Sequence, residues 1–428
     1  MCGGIGLRIF KVQGLKPLHG KIKVQGAKNA VLPMMAASLL TEGRTEIRNV
    51  PRISDVFLMA EILRDLGCQV SFQDDVLEID AFGLSGTVIS EMSVGKMRSS
   101  SLLLGPLLSR AGEVTTWYPG GCVIGKRPID FHLDVLRAMG AEILDDGGML
   151  IAKAKKLCGT TFRFPYPSVG ATENALMAAV LASGTTKLLN CAREPEIAEL
   201  CSFLRSMGAR ISGERTGIIT VDGVERLFPT NHVTAGDRIC AGTYLAAAAA
   251  AGGEIEITGV EPVLLVEPLK VLRKMGAGIQ ISGAARAKAR ICMAMKRRPS
   301  GIEIDTGPYP GFPTDLQSVF LAAEAAGSGE SRFKETVYEA RFEAAMRLAA
   351  FGADVSVHKD TAIVRGRYPL VPGIAETPDL RGGAALLVAA LAADGLSVIS
   401  DRGHLRRGYE DIGRDLRKLG ADIEEDEL

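Results

Sequence analysis

CSFLRSMGARI, residues 201–211, joins an amphipathic helix to a short strand through a glycine. Its apolar residues recur at i, i+3 and i+4, the spacing of one helix face, and Gly208 stands where such a helix stops. The same order returns as AEILRDLGCQV (60–70), LDVLRAMGAEI (133–143), LKVLRKMGAGI (269–279), AMRLAAFGADV (345–355) and GRDLRKLGADI (413–423). The stop glycines are Gly67, Gly140, Gly208, Gly276, Gly352 and Gly420, spaced by 73, 68, 68, 76 and 68 residues. Helix–glycine–strand grammar alone would not space them so evenly.

A second, more apolar helix alternates with the first: NAVLPMMAASLLTEG (29–43), SLLLGPLLSRAG (101–112), NALMAAVLASG (174–184), GTYLAAAAAAGG (242–253), LQSVFLAAEAAGSG (316–329) and GAALLVAALAADG (383–395). Each ends in glycine and feeds a strand such as EIRNV, KLLNC or EIEIT. A helix apolar nearly all round must be buried. A period near 70 residues is too long for an ordinary solenoid and suits a small α+β subdomain used six times. The expected fold is therefore α/β. Two domains of three similar helix–strand repeats each have helices in the middle and sheets outside, and the second begins near Asp237, after PTNHVTAG (229–236). A cleft between two such domains is the usual place for a substrate.

Composition narrows the function classes. The 428 residues are 47% hydrophobic, 23% charged and 5% aromatic, as in a globular protein large enough for two domains. Fifty basic and fifty acidic residues cancel, so bulk charge argues for neither nucleic acid nor an anionic membrane. The basic stretch 286–298 (RAKARICMAMKRR) lacks interleaved aromatics and reads as a solvated loop. The longest apolar run, TYLAAAAAAGG (243–253), falls short of the ~20 residues of a bilayer span, so no membrane insertion is expected. The start, MCGGIGLRIF, lacks the pattern of a signal peptide. Eight cysteines without a CxxC pair or a histidine cluster argue against zinc and against a disulfide framework, so a cytoplasmic setting is expected.

The stretch PGGCVIGKRP (119–128) sets a lone thiol, Cys122, between glycines and a Lys126–Arg127 pair. Neighbouring positive charge favours a thiolate, and a guanidinium fork suits phosphate or carboxylate. Further charged residues stand where the repeat does not demand them. Lys28 and Asn29 in GAKNAVLP occupy the entry to the first buried helix, a position that favours an anion. KMRSS supplies Arg98, FPTD Asp315, EARF Arg341, PDLRGG Asp379 and Arg381, and HLRRGYE Arg407. Each alone has an ordinary account as a cap or a solvated charge. Together, in this order, they do not.

These stretches, with PGGCVIGKRPIDFHLD (119–134), PSVGATEN (167–174), AREPEI (192–197), FPTDLQ (312–317) and RRGYE (406–410), resemble the UDP-N-acetylglucosamine 1-carboxyvinyltransferases, a family of enolpyruvyl transferases. The resemblance runs from about residue 20 to residue 410. It implies two inside-out α/β domains, residues 28–236 and residues 1–27 with 237–428, with an active-site cleft between them. It implies transfer of enolpyruvyl from phosphoenolpyruvate to the 3-hydroxyl of UDP-N-acetylglucosamine, with no metal and no organic cofactor. Lys28, Asn29, Arg127, Arg341, Arg381 and Arg407 would hold phosphoenolpyruvate. Arg98, Arg127, Pro128, Ile129, Asp130, Phe131, Tyr166, Pro167, Ser168, Val169, Asp315 and Val337 would contact the sugar nucleotide. Cys122 would be the proton donor, able also to carry a pyruvate adduct, and Asp315 the base.

Two departures stand within the resemblance. Ala340 occupies a position that is often Asn, and Tyr166–Pro167 replaces a lysine-containing form. Two other readings are a non-catalytic, UDP-sugar-binding regulatory paralogue and the sister enzyme acting on shikimate 3-phosphate. Retention of Cys122, Asp315, Lys28 and Arg407 together speaks against the first, because binding alone needs no proton donor, and the Cys loop against the second.

Overall fold

The computed structural model describes residues 6–118, 129–283 and 288–427. Among these, residues 26–118 and 129–235 form one compact unit, and residues 6–25 and 236–427 form another. Each is built from three copies of the same plan.

In the first unit the apolar helices are Lys28–Ala37, Leu104–Ala111 and Val169–Ala179. In the second they are Arg238–Ala251, Thr314–Ala325 and Leu380–Leu391. They are buried along most of their length because they carry few charged residues. Small residues let them pack closely. A Cβ on Gly242 would lie 2.5 Å from Leu316 Cδ1, and one on Gly105 would lie 2.5 Å from the Asn174 carbonyl oxygen.

The amphipathic helices, Pro195–Ser206 for example, lie half-buried on each core, with Ile197, Leu200, Phe203 and Leu204 turned inward. All six stop glycines have positive φ, from 68° at Gly352 to 106° at Gly276, a region a side chain disfavours. The backbone bonds explain the need. Gly208 N–H donates to the Arg205 carbonyl (2.9 Å) and Ala209 N–H to the Leu204 carbonyl (3.0 Å). The same pair of bonds closes the other five helices, satisfying carbonyls that the helix end would otherwise leave open.

Among the described residues there are six sheets, three per unit, with one topology. The strand after each buried helix pairs antiparallel with a hairpin strand on one side. On the other it pairs in parallel with a segment from the preceding repeat: Thr185–Leu189 lies beside Ile218–Asp222 and Thr161–Arg163. In the sheet of Glu113–Trp117 the parallel contact shrinks to the Val88–Thr115 bridge. The ring closes in the first unit when Asn231–Val233, from the end of the third repeat, pairs with Arg44–Arg48 of the first. In the second unit Arg8–Gln13 lies between Leu396–Asp401 and Asp422–Glu427. Side chains alternate along the strands, with Thr186 and Leu188 buried against the helices and Thr185 and Lys187 exposed. The structure is thus two α/β domains of three repeats, helices inside and sheets outside.

Candidate active site

In the second unit the chemistry gathers at the N-terminal ends of the buried helices. Asp315 lies in the first turn of Thr314–Ala325. Its Oδ1 accepts from an Arg341 amine at 2.7 Å and its Oδ2 from an Arg381 amine at 3.0 Å. The guanidinium-bearing residues are 4% and 5% exposed, and the carboxylate is more open at 27%. Burial works against the charge of Arg381, but Asp315 and then Tyr409 more than offset it, so its pKa is raised. Among the described residues Arg341 Nε has no hydrogen-bond partner although it is buried. A buried donor left open at a cationic site is one that an anion can satisfy.

Local structure fixes these side chains. Asp379 caps the helix Leu380–Leu391 by accepting from the N–H of Arg381 (2.8 Å) and of Gly382 (3.0 Å). The Arg381 guanidinium lies 5.9 Å from the centre of the Tyr409 ring, and the Tyr409 hydroxyl pairs with Thr243 Oγ1 at 2.9 Å. Glu335, buried, accepts from Val337 N–H (2.8 Å), Tyr338 N–H (3.1 Å) and Thr314 Oγ1 (2.9 Å). It ties the loop that carries Val337 and Arg341 to the turn that carries Asp315. Arg407 stands on the short turn Leu405–Arg407, partly exposed.

The first unit repeats the pattern. Lys28 opens the helix Lys28–Ala37, whose N-cap, Ala27, offers no side-chain bond. Its ammonium meets Asp55 Oδ2 at 2.7 Å, and Asp55 is 3% exposed. Asn29 follows, half-buried. Arg98 begins the short helix Arg98–Leu103, and Asp130 and Phe131 lie in the first turn of Asp130–Ala138, behind buried Ile129. Tyr166 is exposed, with Pro167 following it. Ser168 caps the helix Val169–Ala179, its Oγ accepting from Ala171 N–H at 3.4 Å.

Behind this turn Asn174 bridges three segments. Its Oδ1 accepts from Gly105 N–H (2.7 Å), while its Nδ2 donates to the Ser101 carbonyl (2.8 Å) and contacts His132 Nδ1 (2.7 Å). Nearby, burial and then Glu196 and Glu194 hold the Glu173 carboxyl well above the usual carboxylate range.

Cys122, Arg127 and Pro128 lie outside the described residues. The other thiols described are mostly unreactive by environment. Burial pushes Cys68 up to about 11 and Cys191 and Cys201 up to about 12, and holds buried Cys240 well above the usual thiol range. Cys158 is exposed. Among the described residues no His, Cys, Asp and Glu side chains group as metal ligands would, and no helix is long and apolar enough to cross a membrane.

Residues 12–416 match the family described as EPSP synthase (3-phosphoshikimate 1-carboxyvinyltransferase). The chain belongs to this family of enolpyruvyl transferases. Within it, the chain is 44% identical to UDP-N-acetylglucosamine 1-carboxyvinyltransferase 1 of Symbiobacterium thermophilum over 97% of this chain and 94% of that one. It is 42% identical to the UDP-N-acetylglucosamine 1-carboxyvinyltransferase of Sphingopyxis alaskensis over 96% and 98%. The solved enolpyruvyl transferase NikO from Streptomyces tendae superposes with a TM-score of 0.87 at 25% identity, covering 99% of this chain and all of that one. EPSP synthase from Acinetobacter baumannii, at 21% identity and a TM-score of 0.77, shares the fold.

Asp55, His132, Asn174, Glu335 and Tyr409 were not singled out by sequence reasoning. The available signal was weak: a polar residue inside an otherwise apolar stretch, as with Asn174 in PSVGATENALMAA.

Proposed function

We propose that this chain transfers the enolpyruvyl group of phosphoenolpyruvate to the 3-hydroxyl of UDP-N-acetylglucosamine and releases phosphate, the first committed step of peptidoglycan precursor synthesis, in the cytoplasm. The observation that carries the proposal is Asp315 suspended between Arg341 and Arg381. It is a carboxylate base set among cations suited to a phosphate and a carboxylate. The relatives that share over 40% of this chain's residues carry the matching name.

Lys28, Asn29, Arg127, Arg341, Arg381 and Arg407 would bind phosphoenolpyruvate. Arg98, the 127–131 segment, residues 166–169, Asp315 and Val337 would bind the sugar nucleotide. The Asp315 carboxylate would accept the proton of the sugar hydroxyl. As the deprotonated sugar oxygen attacks C2 of phosphoenolpyruvate, the Cys122 thiol would deliver a proton to C3. Acid and base act at opposite ends of one addition. The tetrahedral product then loses a C3 proton back to sulfur as the C2–O bond to phosphate breaks. The cations hold the charge that develops on the departing phosphate. Cys122 attached through sulfur to C2 is the corresponding covalent adduct.

Phosphate release from phosphoenolpyruvate, measured with UDP-N-acetylglucosamine, with shikimate 3-phosphate and with neither, tests the proposal. Release with the sugar nucleotide alone supports it. Release with shikimate 3-phosphate only, or binding of UDP-N-acetylglucosamine with no turnover, refutes it.

A further inference from the structure

The turn Leu405–Arg407 is held from both ends. On the side before it, buried Asp401 accepts from the N–H of His404 (2.9 Å) and of Leu405 (3.3 Å), and Thr377 Oγ1 donates to the same carboxylate at 2.7 Å. On the side after it stands a residue from the other end of the chain. Gln25 Nε2 donates to the Gly408 carbonyl at 3.0 Å, and Gln25 Oε1 accepts from the Glu410 N–H at 2.9 Å. One side-chain amide thus spans Tyr409 as a neighbouring strand would. The two bonds also fix which end of the amide is oxygen, since a flip would break both.

The main chain that carries Gln25 is itself fixed. It continues the strand Leu18–Lys23, with Val24 N–H donating to the Thr258 carbonyl at 3.0 Å. The Gln25 carbonyl accepts from Asp237 N–H at 2.9 Å. Gln25 is the last residue of the second unit before the chain passes to the first, and Asp237 lies one residue after the chain returns at Gly236. The groups that the amide clamps belong to the candidate site. Gly408 follows Arg407 directly, and Tyr409 carries the ring that lies 5.9 Å from the Arg381 guanidinium. An apolar side chain of the same length would fill this half-buried space and make neither bond. Gly408 would then keep the Cys240 thiol, a weak donor 3.6 Å from its carbonyl.

We infer that Gln25 is a positioning residue for phosphoenolpyruvate binding, its amide setting the main chain beside Arg407 so that the guanidinium is presented to the substrate's anionic groups. The inference rests on the assignment of Arg407 to phosphoenolpyruvate proposed above. Gln25 acts through the peptide groups of residues 408 and 410 and needs no contact with substrate. A turn fixed at both ends loses less freedom when its arginine engages an anion, and that saving appears as affinity.

The test is a double-mutant cycle in the full chain. Gln25→Met keeps the length and bulk of the side chain and removes both bonds. It should raise KM for phosphoenolpyruvate about three- to thirty-fold, the range for one or two neutral hydrogen bonds, with a smaller change in kcat. KM for UDP-N-acetylglucosamine should stay within about two-fold. In an Arg407→Lys background, which lacks the guanidinium, the same change should raise KM for phosphoenolpyruvate less than about two-fold. Equilibrium dialysis of labelled phosphoenolpyruvate replaces KM wherever turnover is too slow to follow. Wild-type affinity for phosphoenolpyruvate in Gln25→Met overturns this inference alone. So does a penalty of equal size in both backgrounds, or one shared equally by UDP-N-acetylglucosamine, which is the mark of a general loosening. An Arg407→Lys variant that binds phosphoenolpyruvate as tightly as the wild type overturns the assignment of Arg407 and this inference with it.

Discussion

Replacing Glu324 by Gln should make the protein less sensitive to rising pH. Glu324 lies near the C-terminal end of Thr314–Ala325, where helix carbonyls disfavour an anion, and it is 1% exposed. Ser331 Oγ is 2.7 Å from Oε2, and Oε1 has no partner among the described residues. Burial, opposed by the Ser331 hydrogen bond, pushes its carboxyl up to about 7 from an ordinary value of 4.5. Below pH 4.5 both folded and unfolded chains are protonated there, and the side chain makes no pH-dependent difference. Between pH 4.5 and 7 the unfolded chain gives up its proton while the folded one keeps it, so stability falls as pH rises. The full loss, about 3 kcal/mol, is reached above pH 7. The amide of Gln imitates the neutral acid and cannot ionise. Urea unfolding of wild type and Glu324→Gln at half-unit steps from pH 4.5 to 8.5 gives the difference directly. The variant should gain on the wild type by roughly 3 kcal/mol across that interval, with most of the gain between pH 5 and 7. A difference that stays flat to within about 0.5 kcal/mol would refute the reasoning, because this buried carboxyl would then not titrate differently on folding.

Asp315→Asn should cut turnover by about 10²–10⁴ while calorimetry still detects both substrates, and a variant of near-normal rate would place the base elsewhere. An epoxide bearing a phosphonate should alkylate the peptide containing Cys122 in preference to that of exposed Cys158, with Cys68, Cys191, Cys201 and Cys240 unlabelled. Mass spectrometry showing Cys158 as the first site of reaction would count against an anion-guided thiol. Gly140→Ala meets no atom within 4 Å but imposes a side chain at φ 96°, so urea unfolding should register a backbone cost of about 1–2 kcal/mol. Gly105→Ala, whose Cβ would sit 2.5 Å from the Asn174 oxygen, should cost more, and equal losses would mean that close helix packing contributes nothing there.

The repeat was legible because two local signals agree along the chain. The 3.6-residue periodicity builds each helix, and a glycine at positive φ ends it. Sheet partners were harder to read. The pairing of Asn231–Val233 with Arg44–Arg48 is made by backbone groups far apart in sequence, and nothing in NHV names its neighbour. Candidate site residues with unusual local context, such as Lys28 at a helix entry or Asp315 shortly after a proline, stood out. The residues that hold them did not. Glu335 and Asp55 look like surface acids in sequence, and only the tertiary structure buries one under the Val337 loop and the other against Lys28. Glu324 was hidden within LQSVFLAAEAAGSG for the same reason, since burial belongs to the assembled core.

The place of Arg8–Gln13 in its sheet governs the order of events during synthesis. This strand is made more than 380 residues ahead of both of its neighbours, Leu396–Asp401 and Asp422–Glu427. A ribosome adding about 5–20 residues per second needs roughly 20–80 s to travel between them. All strands of the 26–235 unit, ending with Asn231–Val233, emerge within that interval and can pair. Throughout it Phe10 and Val12, fully buried in the finished protein, have no sheet to enter. The nascent chain must therefore keep an apolar strand from aggregating until its closing partners arrive, a vulnerability that belongs to birth and vanishes at maturity.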